Sequence, residues 1–72
     1  MTKNQQQVID SFQRRKIFDG YEVRKLDVNE SEGSSIISFS AVYGRPGKSC
    51  AYHDWFVLGP RGAVRDSGSR FI

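Results

Sequence analysis

The stretch Ile36-Ile37-Ser38-Phe39-Ser40-Ala41-Val42-Tyr43 decides how this chain folds. Ile37, Phe39, Ala41 and Tyr43 recur at every second position, the interval at which a strand returns to one face of a sheet. The other face carries Ser38 and Ser40 between Ile36 and Val42, so the strand has one apolar and one mixed face. Antiparallel sheets show this alternation when one side is covered and the other is wet. Gly44-Arg45-Pro46-Gly47-Lys48-Ser49 then turns the chain. Cys50 to Leu58 reads as the next strand and is rich in aromatics. Gly59-Pro60-Arg61-Gly62 turns again into a short edge strand, Ala63 to Asp66, leaving Ser67 to Ile72 as a polar tail that ends in Phe71-Ile72.

On the N-terminal side, Asn29 to Ser35 has loop composition. Before it, Tyr21 and Val23 alternate, and Leu26 and Val28 alternate in the opposite phase, which calls for a bulge near Arg24-Lys25. Ahead of that strand Val8, Ile9 and Phe12 share one helical face. Thr2 with Gln5, or Asn4 with Gln7, has the spacing of a capping box. Arg14, Arg15 and Lys16 complement the negative end of the helix, and Gly20 suits its left-handed exit. The expected fold is α+β: one N-terminal helix, about 3–18, packed on an antiparallel meander of three to four strands, about 21–28, 36–43, 50–58 and 63–66. One domain, 1–72, holds them all, with 67–72 as the tail.

Setting Phe39 opposite Trp55 also sets Ile37 opposite Val57 and Ala41 opposite His53. In that register Trp55 is buried against Phe39 and Phe12 beneath the helix. The open face then carries Ile36, Val42, Tyr52, Phe56 and Leu58 around a Ser40–Asp54 pair, more apolar surface than a free sheet face usually presents. A shift of one residue would exchange the two faces.

A chain of 72 residues builds a thin core. Deep, dry clefts with several fixed groups are hard to form at this size, which argues against an enzyme and against a small-molecule substrate. A single cysteine, Cys50, rules out an internal disulfide, and a reducing cytoplasm is the expected compartment. The polar start lacks the apolar stretch of a signal peptide, and Trp55 to Leu58 is too short to span a bilayer, so no membrane partner is expected.

None of the chemical motifs is complete. Gly47-Lys48-Ser49 ends like a phosphate-binding loop, but Val42 stands where that loop needs glycine, and a strand follows in place of a helix. Cys50 and His53 have a spacing found in zinc sites, yet no second Cys or His completes a tetrahedral set. His53 and Asp54 are strand neighbours and point apart, so Asp54 cannot orient the imidazole. No catalytic residue, metal or cofactor is assigned.

Charge carries more information. Up to Glu32 basic and acidic residues cancel; beyond it Arg45, Lys48, Arg61, Arg65 and Arg70 face Asp54 and Asp66, which accounts for the net charge of +3. An antiparallel meander brings the helix exit and the 44–49 turn to one end. Arg14, Arg15, Lys16, Arg45 and Lys48 should gather there, with the acidic 29–34 loop and Arg61 at the other end. A basic pole favours an anionic partner surface. Tyr52 and Phe56, on the face expected to be open, complete the predicted partner-binding set. Helix followed by three strands resembles the double-stranded-RNA-binding domain in topology, but that family's second helix, with its lysine-rich start, has no counterpart here. The expected function is that of a non-enzymatic, protein-binding modulator of a larger intracellular assembly. A phage-type regulator of the bacterial transcription complex is the first candidate. Direct nucleic-acid binding, through the basic pole and the sheet-face aromatics, is the alternative.

Overall fold

The computed structural model describes residues 1–72 as one helix followed by a four-stranded antiparallel sheet. Helix α1 spans Lys3–Phe18, and strands β1 (Glu22–Glu30), β2 (Ile37–Gly44), β3 (Tyr52–Leu58) and β4 (Val64–Phe71) lie side by side in chain order. The α+β class expected from the periodicities is therefore the observed one.

The helix starts where its capping chemistry dictates. Thr2 Oγ1 accepts from the Gln5 N–H (3.2 Å), and the Thr2 N–H donates to Gln5 Oε1 (2.8 Å), which closes the capping box. Gln5 goes further than a cap. Its Nε2 donates to the carbonyls of Ser35 (2.6 Å) and Gly59 (3.0 Å), so one buried amide ties the helix start to two loops. Such a polar group is tolerated inside because its donors and acceptors are matched.

The opposite phases of Tyr21–Val23 and Leu26–Val28 are reconciled by a bulge between Val23 and Lys25. Ile9, Ile37, Phe39 and Leu58 form the core, with Val8, Phe12, Leu26 and Phe56 packed around it. Phe12 reaches from the helix between Phe39 and Phe56, with ring centroids 5.7 and 5.4 Å away. The helix lies over β1 and β2, leaving β4 uncovered on that side.

Two expectations are corrected. The β2–β3 register pairs Phe39 with Phe56, Ser40 with Trp55 and Ala41 with Asp54, one residue away from Phe39 opposite Trp55. Every β3 side chain thereby changes face. Leu58 is fully buried and Phe56 stacks on Phe39 at 4.9 Å, while Trp55 stands on the open face and is 38 % exposed. The cost of this register is a buried carboxylate, Asp54, and two hydroxyls offset it: Tyr43 Oη donates at 2.9 Å and Ser69 Oγ at 2.6 Å. Open-face room for the indole comes from Gly68 on β4, where any Cβ would run into the Trp55 ring. The second correction concerns 67–72. These residues are not a tail: β4 continues to Phe71, pairing Ser67, Ser69 and Phe71 with Phe56, Asp54 and Tyr52, and Ile72 exchanges backbone bonds with Ala51.

Candidate docking surface

The helix exit and the 44–49 turn meet at one end of the sheet. Arg45 Nη1 donates to the Asp19 carbonyl (2.8 Å), and a Cβ at Gly20, whose φ is +89°, would press on that guanidinium at 2.9 Å. The Arg45 guanidinium carbon also lies 4.1 Å from the Tyr21 ring centroid. Lys16 Nζ sits 4.5 Å from the centroid of Tyr43 and 5.4 Å from that of Phe12. These are cation–π distances, and they hold two long side chains in place without neutralising them.

Arg15 and Lys16 edge a groove of about 350 Å³ between α1 and β3, floored by Phe12, Phe56 and Asp54. On its other side Arg15 joins Arg14, Phe18 and Asp19 around a shallow depression. Lys48 is exposed in the turn. The side-chain ion pairs of the protein are Arg24–Glu22 and Lys25–Asp27, and the Met1 amino group pairs with Glu30. None of Arg14, Arg15, Lys16, Arg45 or Lys48 takes part in one.

Tyr52 and Phe56, predicted for the open face, lie on the helix side with the rest of their register. Phe56 belongs to the core periphery. Tyr52 is part of an aromatic row at the basic end, 5.6 Å from Tyr43, 6.3 Å from Tyr21 and 5.3 Å from Phe71. Thus six of the seven predicted residues border the basic end or its groove, and Phe56 floors that groove from the core.

Three contributors escaped the sequence reading. Arg24 Nη2 donates to the carbonyls of Arg45 (3.0 Å) and Lys48 (2.6 Å), clamping the turn that displays both cations. Its place at the bulge was the available signal, since a bulged residue is re-aimed out of the ladder. Tyr21 and Phe71 extend the aromatic row, and their roles depend on pairings distant in sequence. Burial, and next the hydrogen bond to Asp54, raises the Tyr43 phenol above its ordinary pKa.

The far end, which carries Glu30 and Glu32 beside Lys3 and Arg61, is differently built: Glu30 pairs with the Met1 amino group at 2.7 Å, and Thr2 Oγ1 donates to the Pro60 carbonyl. No helix is long and apolar enough to cross a membrane. No protein-family model, curated protein or solved structure matches the chain.

Proposed function

We propose that this chain is a non-catalytic docking protein whose basic end seats an acidic surface of a larger protein assembly. The observation that carries the reading is a set of five cations from two separate segments, all outside ion pairs, at one end of the sheet. Lys16 and Arg45 are immobilised against aromatic rings, and Arg24 fixes the turn bearing Lys48, so less conformational entropy is lost when a partner binds. Arg14, Arg15 and Lys48 remain free to pair. A modulator of the bacterial transcription complex is the first assembly to test.

A second reading, direct nucleic-acid binding, has its own support in Trp55. The ring lies on the open face in a row with His53 and Val57, and His53 pairs with Arg70. An indole that is 38 % exposed on the sheet face that also carries Arg70 offers a surface for base stacking. Affinity capture from a bacterial lysate, beside gel shifts with unrelated DNA and RNA across a salt series, separates the two. Docking to a protein predicts an acidic protein retained at low salt and no shift of either nucleic acid. A shift that weakens steeply with salt would instead assign the basic end to phosphate.

A further inference from the structure

The two edges of the sheet are unlike. β1 presents Glu22, Arg24, Lys25, Asp27 and Glu30 together with a bulge, the usual guards against edge-to-edge pairing. β4 also carries charges, Arg65, Asp66 and Arg70, and has an irregularity near Val64, but from Asp66 to Phe71 its ladder is regular, and no helix lies over it. Ile72 N donates to Ala51 O (2.8 Å) and Ala51 N to Ile72 O (3.5 Å), so these two residues exchange both bonds. In an antiparallel ladder that pattern alternates: Arg70, Gly68 and Asp66 also turn their backbone groups toward β3, while Phe71, Ser69 and Ser67 turn theirs outward. The Ser67 N–H agrees with this, since the acceptor it finds is the carboxylate of its neighbour Asp66, at 2.9 Å.

We propose that β4 is a self-pairing edge, on which a second copy of this chain docks antiparallel about a two-fold axis at Gly68. Two four-stranded sheets then join into one of eight strands. Centred there, Asp66 of each copy stands opposite Arg70 of the other, Ser67 stands opposite Ser69, and Gly68 meets itself. Asp66 and Arg70 share the open face, because their β3 partners are Val57 and His53, so the opposite charges meet on the same side. Moving the axis to Ser67 puts Asp66 opposite Gly68, and moving it to Ser69 puts Asp66 opposite Ile72; neither matches the charges. The Gly68-centred register matches them twice.

Trp55 supports the same axis. Its ring covers Gly68 at the rim of the sheet while remaining 38 % exposed, so the two indoles approach each other across the joint and bury surface that water now meets. On the other side of the sheet each helix stands over its own β1 and β2, away from the junction. The outward N–H and C=O groups of Ser67 and Ser69 gain reciprocal partners, and Asp66 exchanges its local bond to Ser67 for the guanidinium of the second copy.

The test is sedimentation velocity on the full chain across a concentration series, with circular dichroism to establish that each variant is folded. The wild type is expected to dimerise. Asp66→Arg and Arg70→Asp alone set like charges opposite each other twice and should weaken the dimer about tenfold or more. The double variant D66R/R70D restores opposite charges and should recover the wild-type dimer. Ser67→Pro removes an outward N–H that the β3–β4 ladder does not use, so it should yield a folded monomer. A wild type that stays monomeric up to about 1 mM would overturn the proposal. So would single variants or S67P that dimerise like the wild type, or a folded double variant that fails to recover.

Discussion

Tyr43 and Asp54 are joined across the β2–β3 ladder by a hydrogen bond of 2.9 Å from the phenol to the carboxylate, although they are diagonal neighbours in the pairing. Ser69 supplies the second donor from β4. Together these hydroxyls let a carboxylate occupy an interior position, and that position sets which β3 residues face the helix.

Removing one donor tests that dependence. Tyr43→Phe keeps the ring packing but leaves one lone pair of the buried carboxylate unmatched, and should cost about 1–3 kcal/mol in urea unfolding. Loss of both donors, in Tyr43→Phe with Ser69→Ala, should exceed the sum of the single changes.

The raised pKa of Tyr43 gives a pH dependence with a definite sign. The phenol holds its proton more tightly in the folded state than its ordinary value of about 10 in the unfolded chain. Above that value the unfolded state binds fewer protons than the folded one, so stability falls as pH rises. The contribution is complete below about pH 10 and declines through the alkaline range. Tyr43→Phe should flatten that decline; an alkaline slope equal to the wild type's would assign it to other groups.

Gln5 makes a second internal test. Gln5→Ala removes one side of the capping box and leaves the Ser35 and Gly59 carbonyls without their amide. The expected loss is about 2–4 kcal/mol, large for a residue whose type is usually exposed. Gln6→Ala, one position along on the solvent side, should change stability by less than about 0.5 kcal/mol.

The register has its own signature in a mutation series. Phe39→Ala should cost about 3–5 kcal/mol, and Trp55→Ala about 1–2 kcal/mol, because the indole lies on the open face. Gly68→Val should be more damaging than Trp55→Ala, since the added side chain displaces the ring. Were Trp55→Ala as costly as Phe39→Ala, the indole would belong in the core.

The parts of this fold legible in the sequence were those written in local period. Val8, Ile9 and Phe12 marked the helix face, and the alternation from Ile37 to Tyr43 marked β2. The β3 register was not legible. Its two faces, Tyr52-Asp54-Phe56-Leu58 and His53-Trp55-Val57, each hold one polar residue among apolar ones, and the choice between them rests on Tyr43, Ser69 and Gly68, which come from other strands. Ser67-Gly68-Ser69 looked like tail because small polar residues have little strand preference, yet those residues accommodate Asp54 and Trp55. The basic end was foreseeable from topology alone; its fastening by Arg24 and Tyr21 required the backbone of the turn.

The most direct measurement of the docking account is the affinity of one charge-reversed pair against another for the captured partner. Arg15→Glu with Lys48→Glu reverses the basic end at two exposed positions that make no ion pair, so folding should be nearly unchanged. Lys3→Glu with Arg61→Glu makes the same change in net charge at the opposite end. The first pair should bind at least about tenfold more weakly, with slower association, while the second binds like the wild type. Equal binding by R15E/K48E and the wild type, with loss confined to K3E/R61E, would place the functional surface at the other end of the molecule.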